Sequence, residues 1–277
     1  MPQRASDMRI EYLSYKAKPQ VVALLDQNAL LNVYQYTVLS DDYFRRGQHV
    51  GVWVGGKLSA VAYVYGGRYL VPFSPDPKLG RDLGEFLSSR EYQPMIVLGG
   101  RKTTDEVIEG ARWSYAHRFD HVQQVCTEVE ETASLNIRPA RMSDLPEVVF
   151  NAARMNEEDI RIDPLQFDPN GFHSAVSDSV REGCLWVAEE KDKIVFQVTV
   201  SYTLPWACHV GSVWVPPSER GKGYATRGMA SVCRELLPKY KKIVLEVRED
   251  NLVAVSCYKK VGFKTLEPLR MSVKPTI

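Results

Sequence analysis

Val213-Trp214-Val215-Pro216-Pro217-Ser218-Glu219-Arg220-Gly221-Lys222-Gly223-Tyr224-Ala225 is the densest signal in the chain. An apolar alternating strand runs into a glycine loop, and the loop opens a helix predicted from Gly221 to Leu237, stopped by Pro238. Backbone N–H groups at a helix N-terminus form an anion site. Gly221 and Gly223 carry no Cβ, so a diphosphate can approach the backbone, and Lys222 and Arg227 add positive charge. From the glycines alone an ordinary strand-to-helix turn is an equal reading.

Downstream, the sequence predicts a strand over Lys242–Val247, a helix over Asn251–Val261 and a final strand over Phe263–Val273. Upstream, Ala207–Val215 is a strand, and Cys184–Glu189 and Ile194–Tyr202 form a hairpin turning at Lys191-Asp192-Lys193. A helix covers about Asn170 to Arg181. Another starts with Ser143 as its N-cap and runs to Met155, after a short strand at Ser134–Arg138. The first half reads in nearly the same order. Its strands are Arg9–Leu13, Val50–Val54, Leu58–Tyr65, Tyr69–Phe73 and Pro94–Leu98, and its helices are Gln20–Leu39, Leu79–Leu87 and Thr104–Trp113. The fold class is α/β: two similar domains, each a mixed, mostly antiparallel sheet flanked by helices. The acidic, Thr-rich segment Thr127–Ser134 is the linker, which gives domains over 1–130 and 135–277.

Composition narrows the function. The 277 residues carry 35 Lys plus Arg against 34 Asp plus Glu, a formal net charge of +1, so no basic excess marks a nucleic-acid partner. No run reaches ~18 apolar residues, which argues against a membrane helix, and Met1-Pro2-Gln3-Arg4 is polar with no apolar core behind it, unlike a signal peptide. Five scattered cysteines without a CxxC, and five scattered histidines without HExxH, predict reduced thiols in a cytoplasmic protein and no metal site.

Arg220-x-x-Gly223-x-Ala225 after a Val-x-Val strand resembles motif A of the GNAT acetyltransferase superfamily, and Asn251-x-x-Ala254-x-x-x-Tyr258-x-x-x-Gly262-Phe263 resembles its motif B. The resemblance in fold spans about Leu135 to Val273, and the whole chain is similar to two-domain members with a degenerate first half. In that half Leu79-Gly80-Arg81-Asp82-Leu83-Gly84 stands where motif A belongs but lacks its spacing, and Asp76 and Asp82 would repel a diphosphate.

The resemblance implies acetyl-CoA, or another acyl-CoA, as co-substrate and no metal. Val213, Trp214 and Val215 would run along the pantetheine arm. Arg220, Gly221, Lys222, Gly223, Tyr224, Ala225 and Thr226 would hold the pyrophosphate, and Asn251, Ala254 and Tyr258 would line the site from the next helix. Tyr258 would protonate the leaving thiolate. The base that neutralises an amine acceptor is carried in many members by a Glu on the strand before the loop; here His209 stands there. Glu246 on the next strand, and Glu157, Glu158 and Asp159 in a polar run after the first helix, are the other candidates. Cys257 points about 100° away from Tyr258 and is read as structural. Tyr202 and Trp206 are core strand aromatics or acceptor contacts, and His49, Arg101 and Lys102 are exposed polar residues available to an acceptor cleft.

The reading is therefore an N-acetyltransferase acting on a small-molecule or peptide amine by direct attack in a ternary complex. Its alternative is a non-catalytic acyl-CoA sensor or scaffold. Aminoacyl transfer from charged tRNA is disfavoured by the near-neutral charge and the intact loop. A homodimer through the long final strand is left open.

Overall fold

The computed structural model describes residues 7–39, 44 and 46–274, without the Tyr202 side chain. The readings placed on residues 1–4 and on the Tyr202 ring lie outside these. The chain divides into two compact units, the first built from residues up to His121 together with residues from Glu267 onward, the second from Val122–Leu266.

In the first unit, β1 (Met8–Tyr12), β2 (Gly47–Val54), β3 (Lys57–Tyr65), β4 (Tyr69–Phe73) and β5 (Ile96–Gly100) lie side by side in that order. Only the β4–β5 step is parallel. Helices α1 (Lys18–Leu25), α2 (Val33–Thr37), α3 (Leu79–Ser89) and α4 (Arg101–Ala111) accompany the sheet. The single helix expected over Gln20–Leu39 is broken. The Asn32 side chain donates to the carbonyls of Leu25 and Asn28, at 3.3 and 2.9 Å, and a 3₁₀ turn at Asp26–Asn28 takes the place of continuous helix.

The first unit is completed by the end of the chain. In β12 (Lys264–Val273), Leu269 to Val273 pair antiparallel with Gly100 to Ile96 of β5. The division therefore differs from the expected 1–130 and 135–277. A pairing between residues this far apart in sequence leaves no local signal. β6 runs over His117–Cys126.

The glycines of the degenerate motif are spent on packing. A Cβ at Gly80 would stand 2.7 Å from the Thr103 carbonyl oxygen, and one at Gly84 would stand 2.0 Å from that of Val107. Both let α3 press onto α4. The first amides of α3 are also committed, since those of Leu79, Gly80 and Arg81 donate to the carbonyls of Asp76, Pro77 and Lys78.

His49, expected among exposed polar residues, is 2% exposed. Its ring stacks on Phe44 at 4.2 Å and lies 4.8 Å from Tyr63. Burial pulls its pKa down to about 4. Because the folded value lies below the unfolded one, this stabilisation is complete above pH 6.5 and is lost as pH falls toward 4. The loss amounts to about 3 kcal/mol over that window. The urea midpoint of the first unit should therefore drop more between pH 7 and pH 4.5 in the wild type than in His49→Gln; equal drops would contradict the burial.

In the second unit, β11 (Ile243–Arg248), β10 (Ala207–Trp214), β9 (Lys193–Leu204), β8 (Leu185–Glu190) and the two-residue β7 (Arg138–Pro139) lie in that order, with β6 beside β11. The β8–β9 hairpin turns where expected: Lys191 and Asp192 both take left-handed φ, 51° and 58°. The short strand expected at Ser134–Arg138 is reduced to β7. The next helix is not capped by Ser143. Asp144 accepts the Arg141 N–H at 2.7 Å and pairs with Arg138 at 2.7 Å, ahead of α5 (Leu145–Ile160). α5 runs past Met155, so Glu157, Glu158 and Asp159 are helical rather than in a loop. α6 (Pro164–Phe167) and α7 (Pro169–Arg181) follow.

α8 (Tyr224–Tyr240) begins after the glycines, not at Gly221, and contains Pro238 rather than stopping before it. A proline in the last turn forfeits one helical hydrogen bond where few remain. α9 (Leu252–Val261) starts on Asn251, whose side chain accepts the Ala254 N–H at 3.1 Å as anticipated. α8, α9 and the inner faces of β8 to β11 enclose a core that includes Phe196, Met229, Leu245 and Val261. All five cysteines are free thiols; Cys184 is half-buried and the other four are buried.

Candidate functional site

β10 and β11 are parallel, with registered pairs at Cys208↔Ile243 and His209↔Val244. On its other side β10 follows β9 as far as Trp214↔Gln197, with a bulge between Gly211 and Trp214 where Ser212 takes φ 51°. The bulge re-aims the end of the strand. A cavity of about 1010 Å³ lies against residues 210–214 of β10, Val215 just after it, and residues 245–248 of β11, beyond the registered pairs of the two strands. A parted pair of parallel strands presents backbone donors and acceptors to whatever lies between them.

At one end of the cavity is the glycine loop. Gly221 and Gly223 both sit at φ +79°, the left-handed region that favours glycine. A Cβ at either would meet nothing within 4 Å, in contrast to Gly80 and Gly84 in the first unit. The loop thus faces open space, and the opening amides of α8 lack helical partners by construction.

The same cavity is lined by α9 from residue 252 to 254 and from 256 to 258, with Asn251 and Lys260. Tyr258 is 7% exposed, and its ring stands 5.7 Å from that of Phe263. Burial pushes its phenol well above the ordinary value. Cys257 also lines the cavity. Its thiol accepts the Thr226 hydroxyl at 3.3 Å, and burial raises its pKa, which keeps it a protonated thiol.

His209 and Glu246 meet across β10 and β11, with Nε2 and Oε2 2.5 Å apart. Glu246 lines the cavity and His209 stands behind it. A Cβ at Gly211 would come within 3.0 Å of the His209 ring, so that glycine gives the ring its room. The two residues weighed separately as bases form one hydrogen-bonded pair.

Of the residues singled out from the sequence, Val213, Trp214, Val215, Arg220, Gly221, Gly223, Tyr224, Ala225, Thr226, Glu246, Asn251, Ala254 and Tyr258 line this one cavity. Lys222 does not. Its ammonium pairs with Glu219 at 2.8 Å, which raises its pKa. Tyr224 donates its phenol proton to Glu190 at 2.5 Å. Arg101 is engaged elsewhere, with the carbonyls of Leu269 and His121. Sequence reasoning missed Met155, Arg161 and Arg248, which line the cavity from the end of α5 and from β11. A polar run closing a helix was the available signal for the first two.

Residues 149–263 match the sequence model of the acetyltransferase (GNAT) family. Among solved structures, a GCN5-related N-acetyltransferase from Sphaerobacter thermophilus superposes with a TM-score of 0.64 at 16% identity, over 100% of this chain and 98% of that one. A tandem GNAT protein from the clavulanic acid biosynthesis pathway superposes with a TM-score of 0.60 at 13% identity, over 98% of this chain and 100% of that one. A GNAT-family acetyltransferase from Colwellia psychrerythraea gives 0.57 at 14% identity, over 96% and 100%. No curated protein sequence matches the chain. At these identities the structural likeness is one of fold, and that fold is GNAT-like over the whole chain. The match to the GNAT acetyltransferase family lies within the second unit, and family match and fold together support acyl transfer from an acyl-CoA in general. Among the described residues no group of three or more His, Cys, Asp or Glu is placed to hold a metal ion, and no helix is long and apolar enough to cross a membrane.

Proposed function

We propose that the second unit is an N-acetyltransferase that moves an acetyl group from acetyl-CoA to a primary amine, on a small molecule or a peptide, by direct attack in a ternary complex. One observation carries this reading: a single cavity joins the open glycine loop, the parted edge of β10 and the buried Tyr258 to the Glu246–His209 pair. The open space at Gly221 and Gly223 leaves a diphosphate room to approach the backbone. The bound acyl-CoA supplies an acyl group activated as a thioester.

The chain's own residues do the rest. The amides from Gly221 to Thr226 hold the pyrophosphate at the positive end of α8. The backbone of Val213, Trp214 and Val215 pairs with the amides of the pantetheine arm, and Asn251 and Ala254 form the turn of α9 that borders it. Glu246, backed by His209, accepts the proton of the incoming ammonium, so that the amine attacks in its neutral form. A carbon–nitrogen bond forms and the carbon–sulfur bond breaks; Tyr258 gives its phenolic proton to the departing sulfur, and the proton that the nitrogen sheds on becoming an amide restores the phenol.

The test is free thiol release from acetyl-CoA against a panel of primary amines, including spermidine, tyramine, glycine and a lysine tripeptide. Release should require an amine, and Glu246→Gln should lower kcat/KM by about 10²-fold or more. Binding of acetyl-CoA without release across the panel would favour the sensor instead.

A further inference from the structure

Arg220 stands at the head of the glycine loop, yet its guanidinium is turned to the protein. Nε donates to the Val215 carbonyl at 3.1 Å, and Nη2 donates to Glu158 Oε2 at 2.9 Å. The guanidinium carbon lies 4.7 Å from the centre of the Trp214 ring. Glu158 belongs to the last turn of α5, which lines the cavity through Met155, Glu158 and Asp159. From the other side, Arg248 of β11 donates Nη1 to the Asp159 carbonyl at 2.8 Å. The last carbonyls of a helix have no helical partners, and cations there are favoured. Two arginines, one from the glycine loop and one from β11, thus hold two successive residues of one helix end.

We infer that Arg220 is a positioning residue: it latches the last turn of α5 to the end of β10 and so fixes one wall of the cavity, rather than serving as a phosphate ligand. Given the acyl-CoA reading, that wall is where the amine enters, since the glycine loop, the β10 edge and α9 are taken by the donor. Arg220 and Glu158 are 46% and 45% exposed, and an exposed ion pair alone contributes little. The stacked ring and the bonded carbonyl hold the guanidinium in place, so the pair forms without first having to order a free side chain. Its loss frees one helical turn and leaves the fold intact.

Hydrogen exchange at the amides of residues 157–161, measured without ligand, tests the latch. Calorimetric titration with acetyl-CoA is run on the same proteins. Arg220→Gln and Glu158→Gln should each speed exchange at 157–161 about fivefold, and the double variant no more than either. Arg220→Lys keeps the charge pair but loses the Val215 bond, and should recover about half of the protection. Acetyl-CoA affinity should stay within about threefold of wild type in all of them. Unchanged exchange in the single variants would overturn the latch. So would a tenfold or greater loss of acetyl-CoA affinity in Arg220→Gln that Glu158→Gln does not share, because that makes Arg220 a phosphate ligand. A wild-type chain that binds no acetyl-CoA would overturn the acyl-CoA reading instead, while the ligand-free exchange would still decide the latch.

Discussion

Replacing Tyr258 with Phe should lower turnover by about 10² to 10⁴-fold and leave the Kd for acetyl-CoA within about threefold. The asymmetry follows from what the ring does. Its apolar body is buried against Phe263 in the core shared by α8 and α9. Phenylalanine keeps that packing and removes only the oxygen. Burial raises the phenol's pKa, so the acid stays loaded through the neutral and mildly alkaline range. The wild type should accordingly show no loss of kcat below pH 9 that Tyr258→Phe abolishes. Equal turnover in the two proteins, by steady-state thiol release, would remove Tyr258 from the chemistry.

The second large effect is on folding. A chain ending at Leu266 lacks the strand segment that pairs with β5, and the first unit should lose cooperative folding. Leu269 is 3% exposed, and Ser272 and Val273 are fully buried. Arg270 bridges to Asp105 at 3.1 Å and to Asp120 at 2.7 Å. Burying a Leu or Val side chain is worth about 1.5–3 kcal/mol. Two of them, a five-residue ladder and a partly buried arginine together take up much of the roughly 5–15 kcal/mol that stabilises a domain. Hydrogen exchange should show residues 96–100 unprotected in the truncated chain, while residues 194–200 of the second unit keep their protection. Full protection at 96–100 would show that β5 does not depend on its partner.

What was legible in the sequence and what was not divides along a physical line. The Lys191-Asp192 turn, the Asn251 cap and the strand-loop-helix around Gly221 and Gly223 are local, and a few neighbouring residues specify them. The break at Asn32 depends on a competition between a side chain and the backbone, and the helix runs past Pro238 because a proline in the last turn forfeits little; propensity settles neither. β6 alternates over His117–Cys126 but was passed over beside the acidic segment that follows it. The place of β12 in the first unit, the burial of His49 and the meeting of His209 with Glu246 come from contacts between distant segments. Arg220 is the instructive case at the site: its spacing marked the motif, but only the structure shows its guanidinium committed to Val215, Trp214 and Glu158.

We propose that one unit carries a working acyl-CoA site and the other does not. In the second unit the glycines face open space, whereas those of the first are packed against backbone and the first amides of α3 are already used. Calorimetric titration of acetyl-CoA into the full chain tests this most directly. The predicted result is one site per chain, lost when Gly223 is replaced by a bulky residue such as Val. Two sites, or heat that persists unchanged in Gly223→Val, would contradict it.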